Sequence, residues 1–279
     1  TKTTGVSTAR MSATVKSASG PLAKGLTYDG AFDFAAHRGR FQFDPSALGL
    51  PGSVGTLDAV FDSTTGLIVY VQFPQVGQIV PGKSWIKVDV GALAAKATGV
   101  DISSLFVGQG TDPTSGLRLL AGATQVTKVG PETVRGTPTT HFHAIVDMDK
   151  AAAAAPPSSR DAMRKLADLY VTKSVPIDVW LDSQGRVRRY EQVADPTDLK
   201  LPAQSQAAAM AAGPITIHIE LFDFGTAVDA NLPPANQVAD LSQLQGGASS
   251  SVTPTASGVA SPAKAAYIAR ANAICTVMN

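Results

Sequence analysis

The chain has 279 residues, 44% of them apolar, and its 23 Lys+Arg against 22 Asp+Glu leave a net charge of +1. That length and apolar content suffice for one large β-rich domain or two small ones and exclude a wholly disordered polymer. Near-neutral charge without a block of one sign excludes the electrostatic footprint of a nucleic-acid binder, and no apolar run approaches the roughly 20 residues that span a bilayer.

From Val6 to Phe73 the apolar residues fall mostly two apart: Met11, Ala13 and Val15; Phe32 and Phe34; Phe41 and Phe43; Leu57, Ala59 and Phe61; Leu67, Val69, Val71 and Phe73. Period two is the signature of strands with one face buried. The interruptions carry turn chemistry, at Gly20-Pro21, Gly49-Leu50-Pro51-Gly52 and Asp62-Ser63-Thr64-Thr65-Gly66. An antiparallel meander is the simplest topology. Ile86, Val88 and Val90 continue the alternation after Pro81-Gly82, with Trp85, Lys87 and Asp89 opposite.

The alternation stops at Gly91, and short helices are expected between there and Gly122, one of them opened by Asp112-Pro113 as cap and first residue. Strands resume over Thr124–Val129 and Thr139–Asp147. A better helix follows from about Ser159 to Val171, with Met163, Leu166 and Tyr170 on one side. Ile177, Val179 and Leu181 alternate with Asp178, Trp180 and Asp182, and the turn at Asp182-Ser183-Gln184-Gly185 leads into a partner strand read as Val187, Arg189 and Glu191 on one face. Ile215, Ile217, Ile219 and Leu221 form the last strand.

Past Asn231 the composition turns to Pro, Gly, Ser, Ala and Thr, the mark of a flexible linker. The organisation expected is one domain over residues 6–233, a linker over 234–262, and a helix over 263–279 that begins a further segment. The chain starts at Thr1 rather than Met, so any leader or lipidated cysteine is expected to lie outside it. Cys275 is the lone cysteine and has no internal partner for a disulfide.

Three patterns bear on chemistry. Gly77, followed four residues later by Gly82-Lys83-Ser84, matches the phosphate-cradling loop, but that loop needs a following helix N-terminus, and Ser84 to Val90 alternates like a strand. Nucleotide binding is therefore rejected. His141 and His143 project from one face of a strand, a spacing that supplies two zinc ligands, yet a third would have to come from Asp147, His37 or His218. A polar sheet face explains the pair better, so no metal is assigned. No G-x-S-x-G elbow is present, and neither a catalytic residue nor a cofactor is expected. Arg186, Arg188 and Arg189 beside their turn read as a solvated hairpin end, with an anionic membrane surface as the alternative.

Read together, these segments resemble the LolA-like superfamily, and within it the actinobacterial LppX/LprG-type lipoproteins. The stretches that carry the likeness are Asp112-Pro113 to Leu120, Gly130-Pro131-Glu132-Thr133-Val134-Arg135-Gly136, Thr139-Thr140-His141-Phe142 with Val146-Asp147, Pro176 to Asp182 with Gly185 to Arg189, and Phe222-Asp223-Phe224-Gly225. Phe142 stands where the family has Tyr, and the Ala151–Pro157 run is an unusual insert. The resemblance implies an α+β fold, an antiparallel half-barrel with short helices over its concave face and an apolar cavity. It further implies a non-enzymatic, extracytoplasmic protein of the cell envelope that binds or carries a lipid, lipopeptide or glycolipid, tethered by an N-terminal lipid anchor or secreted. A sensory or protein-interaction domain with an envelope protein as partner is the alternative. On this reading Leu93, Val100, Leu105, Phe106, Leu117 and Leu120 are the candidate lid and wall, and Ile86, Val88, Val179, Leu181, Ile217 and Ile219 the candidate sheet side of the cavity.

Overall fold

The computed structural model describes residues 3, 6–48, 54–73, 75–98, 120–200 and 213–241. Six strands follow in meander: β1 (Thr8–Ser17), β2 (Leu26–Asp33), β3 (Arg38–Phe43), β4 (Leu57–Asp62), β5 (Ile68–Gln72) and β6 (Trp85–Asp89). Further along, the chain forms β7 (Ala123–Val134), β8 (Thr137–Asp147), β9 (Ser174–Asp182), β10 (Val187–Ala194), β11 (Ile215–Phe222) and β12 (Val238–Asp240). The helices are short: α1 (Val76–Ile79), α2 (Val90–Thr98), α3 (Met148–Ala154) and α4 (Pro157–Leu169). All twelve strands make one sheet, in the order β12-β6-β5-β4-β3-β2-β1-β11-β10-β9-β8-β7. The sheet does not close, and this is the open α+β half-barrel class that the alternation and the resemblance led one to expect.

The two halves of the chain meet where β11 returns to lie against β1, pairing Ala13 with Ile219 and Val15 with Ile217. Directly opposed residues share a face, so the register sorts the whole sheet into an apolar inner face and a polar outer one. Three buried clusters tile the inner face. Val146, Val175, Ile177 and Val179 pack with Ala151, Ala152, Met163 and Ala167 of α3 and α4. Leu26, Phe43, Leu57, Ala59 and Ile86 pack with Val76 of α1. Between them lie Met11, Phe32, Phe41 and Leu221. Ile219 packs on the first and third clusters, and Tyr28 and Phe61 on the second and third, so the apolar surface is continuous.

Sequence and structure part company at three places. The insert Ala151–Ala154 continues a helix, α3, whose N-cap Asp147 accepts from the backbone N–H groups of Asp149 and Lys150. The sheet also runs past Pro233 into residues read as linker, because β12 pairs with β6 in parallel, the one parallel pair among the described strands, with Ala239 buried opposite Ile86. Finally, a register shift between Val187 and Arg189 moves Val187 to the inner face while Arg189 and Glu191 stay outside. Residues 242–279, and with them most of the expected linker and the terminal helix, lie outside the described residues.

The two sheet edges differ in how they are guarded. β12 is three residues long. β7 is long and exposed along most of its length, and it carries Pro131, the exposed Lys128 and two register shifts, each of which hinders pairing with another strand.

Close approach explains one glycine. A Cβ on Gly39 would stand 2.5 Å from the Phe32 ring and 2.6 Å from the Phe41 ring. Because both rings are buried in the central cluster and cannot swing into solvent, Gly39→Ala is expected to cost about 1–3 kcal/mol of stability. Chemical denaturation of the two proteins measures it, and an unchanged midpoint would contradict the packing.

Candidate functional site

The inner face carries the three apolar clusters, and the register decides which of the candidate lining residues come together. On β9 and β11, Val179, Leu181 and Ile219 gather at the first cluster, where Leu120 packs from the short 3-10 turn Leu120–Gly122. Ile217 lies beside them, half-buried, one pair along from Ile219 and opposite Val15 on one side and Gln192 on the other. Ile86 and Val88 belong to the second cluster on β6, with five strands between them and β11. The described candidates on the sheet thus fall into two groups, one at each of these clusters. Leu93 sits on α2 and is 42% exposed. Val100, Leu105, Phe106 and Leu117 lie outside the described residues.

Around the buried clusters this face carries half-buried apolar residues, Phe61, Val69, Val71 and Val88 packed on the second cluster and Ile215, Ile217 and Ile219 on β11. Two polar side chains interrupt the aliphatic rows, and neither was anticipated. Tyr190 and Gln192 of β10 face inward, opposite Val179 and Ile177 of β9 and Ile219 and Ile217 of β11. The Tyr190 hydroxyl donates to Gln192 Oε1 at 2.6 Å. Their alternation with Arg189 and Glu191 was visible in the sequence, but reading Val187 onto the same face as Arg189 hid which residues point inward.

The outer face is polar and ordered by ion pairs. His141 stacks on Trp180 with ring centroids 4.1 Å apart. Its Nδ1 lies 2.9 Å from Glu132 Oε1 and its Nε2 2.7 Å from Asp178 Oδ1. His143 Nδ1 lies 3.2 Å from both oxygens of the same Asp178. The Trp180 indole N–H donates to Glu132 Oε2 at 2.8 Å. That hydrogen bond and the one from His141 hold the Glu132 carboxyl below its ordinary range. Glu220 receives Arg189 and Arg135, at 2.8 Å and 2.6 Å, and although burial opposes its ionisation the two guanidinium groups outweigh burial and lower it.

His141 and His143 therefore do share a face and a carboxylate. His218 is instead paired with Glu191 on β10 and Glu220 on β11, and His37 is in the β2–β3 turn, so neither joins them. Among the described residues no group of three or more His, Cys, Asp or Glu is arranged to hold a metal ion. The Gly77–Ser84 segment overlaps α1 and runs straight into β6, without the following helix that a phosphate cradle requires. Arg186 and Arg188 both bond Asp182 and lie over the Phe224 ring, which fixes the hairpin end.

No family model matches the chain. A curated protein of Streptomyces griseus, described as an uncharacterized 31.2 kDa protein of the rplA-rplJ intergenic region, is 31% identical over 182 residues, which is 62% of this chain and 53% of that protein. The chain spans about half the length of the curated relative it matches. Among solved structures, the chain is similar to the lipoprotein LppX of Mycobacterium tuberculosis, at 13% identity over 81% of this chain and 91% of that one with a TM-score of 0.44. It is similar to LprF of Mycobacterium bovis, at 13% identity over 84% and 92% with a TM-score of 0.44. A LolA superfamily protein of Nitrosomonas europaea shows 9% identity over 81% and 86% with a TM-score of 0.26.

Proposed function

We propose that this chain is a non-catalytic, extracytoplasmic domain of the cell envelope that binds or carries a lipid, lipopeptide or glycolipid against the inner face of its sheet. The observation that carries the reading is the continuity of that face: three apolar clusters joined by Ile219, Tyr28 and Phe61, with half-buried aliphatic residues beside them. Sites for acyl chains are concave, mostly apolar and sparing of polar groups. The motif resemblance supports the same reading, and with it a tether to the membrane by an N-terminal lipid anchor. No helix of the described residues is long and apolar enough to cross a membrane. The domain itself is taken to run from residue 6 to the end of β12, with the remaining chain as linker and terminal helix.

Native mass spectrometry tests the proposal directly, on protein purified from a membrane-containing bacterial lysate and then offered envelope lipids. Adducts of acyl mass are expected on the folded protein. Ile217→Trp should lower their occupancy, because an indole placed between Val15 and Gln192 occupies the half-buried row while keeping it apolar. A roughly tenfold loss of affinity is expected, the factor that ~1.4 kcal/mol of displaced contact produces. A bare protein mass after exposure to lipids would overturn the reading and shift weight to a protein-binding domain.

A further inference from the structure

At the rim that carries the β7–β8 and β9–β10 turns, the sheet ends in a group of arginines that ligand binding on the inner face does not use. Arg186 and Arg188 lie over the Phe224 ring, 4.6 Å and 4.7 Å from its centroid, and Arg135 and Arg10 over the Phe222 ring, at 4.1 Å and 5.4 Å. Arg189 joins them through Glu220, which it shares with Arg135. These five guanidinium groups meet three carboxylates, Asp182, Glu220 and Asp223, so two positive charges are left over. Glu132 and Glu191 on the outer face bond His141 and His218 instead.

The way these side chains are held leaves them open to a further anion. Among the described residues Arg135, Arg186 and Arg188 are each hydrogen-bonded through Nε alone, the first to Glu220 and the other two to Asp182. A guanidinium has five N–H donors, and the four on its terminal nitrogens form a fork that matches a phosphate. Stacking on the rings fixes the planes of these forks in advance. The start of the chain is fixed at the same corner. Thr3 is fully buried, and its Oγ1 accepts at 2.8 Å from the backbone N–H of Val187, between Arg186 and Arg188. Residues upstream of Thr3 therefore depart from beside this rim, each adding at most about 3.5 Å of reach.

Resting on the envelope reading above, with its upstream lipid anchor, we propose that this rim docks on anionic phospholipid headgroups, Arg135, Arg186 and Arg188 bonding their phosphates. Two observations combine in that choice of partner: an excess of positive charge with unused phosphate forks, and an entry point of the chain that brings an anchor to the same corner. An anionic leaflet attracts basic groups that come within a Debye length of it, by about fivefold in partition for each arginine. The anchor keeps the rim within that distance, and the arginines set which end of the domain faces the bilayer.

Co-sedimentation of the full chain with vesicles tests the proposal, using phosphatidylcholine alone and an equimolar mixture with phosphatidylglycerol. The wild type should partition roughly thirtyfold more strongly onto the mixed vesicles, two uncompensated charges at about fivefold each, and lose the difference in concentrated salt. Arg10→Gln/Arg135→Gln removes two charges at the most exposed of the five side chains, 55% and 44%, and leaves the Asp182 pairs untouched. It should bind both vesicles alike, whereas Arg164→Gln/Lys165→Gln, the same loss of charge on the exposed side of α4, should keep the preference. Thermal melting shows which variants are folded, and Arg10→Gln and Arg135→Gln singly, each expected to lose about fivefold, replace a double variant that is not. A wild type without preference for the mixed vesicles overturns the docking surface, as does an equal loss in the two double variants, which would make net charge and not this rim responsible. Native mass spectrometry of the same preparations keeps the two readings apart. Acyl adducts without a vesicle preference leave lipid carriage standing and docking overturned, and a rim-dependent preference without adducts does the reverse.

Discussion

Phe41→Ala is expected to remove a large share of the protein's stability, about 3–5 kcal/mol out of the 5–15 kcal/mol that a domain of ordinary stability possesses. Phe41 is 1% exposed and belongs to the central cluster, which it shares with Phe32 and Met11 of the two preceding strands and Leu221 of the last long one. Its ring meets Phe61 edge-on at a centroid distance of 5.0 Å, an arrangement that adds to the area buried. The void would be hard to close, since Gly30 and Gly39 on either side have no side chain that could lean into it. Urea denaturation of both proteins measures the loss. A change below about 1 kcal/mol would mean that the two halves of the sheet do not depend on this cluster.

The second large effect is at Asp182, which closes the β9–β10 hairpin. Its carboxylate, with a side chain 3% exposed, accepts from the backbone N–H groups of Gln184 and Arg186 and from Nε of both Arg186 and Arg188. Burial opposes its ionisation, but the Arg186 N–H and the two guanidinium groups outweigh burial and hold the carboxyl below the ordinary range. Asp182→Ala leaves two guanidinium groups facing each other over Phe224 without a counter-charge and is expected to cost about 3 kcal/mol, the lower end for breaking a buried pair. The pH dependence follows in sign. A carboxyl depressed in the folded state stabilises it above the unfolded-state value, near 3.8, and that stabilisation is lost as pH falls through the lower folded value. Wild-type stability should therefore fall below about pH 4, and the Asp182→Ala protein should lose less over the same interval. Equal slopes for the two proteins in acid would show that other carboxylates, Glu220 foremost, dominate.

The strands of the meander were legible because their cause is local. Phe41 and Phe43, or Val69 and Val71, bury one face at period two whatever lies beyond, and Asp62-Ser63-Thr64-Thr65-Gly66 turns the chain whatever it turns toward. The hairpin of β9 and β10 was legible for the same reason, up to its bulge. One extra residue between Val187 and Arg189 flips the faces, and it is favoured by contacts made elsewhere: Val187 fills the first cluster, while its N–H is taken by Thr3 Oγ1 from the far end of the chain at 2.8 Å. That displacement is why Tyr190 and Gln192 escaped notice.

What the sequence by itself determined was the strands from β1 to β11, the polar and apolar sides of most of them, the short helix before β9 and the absence of any phosphate-cradling context, all properties of a few consecutive residues. What the tertiary structure alone decided was the order of strands in space. It placed β11 against β1, carried residues 238–240 back to β6, split the candidate lining between two clusters and set an amide among aliphatic neighbours. Such pairings are chosen by the burial of area between segments more than a hundred residues apart, and side-chain alternation within any one segment is equally compatible with many partners.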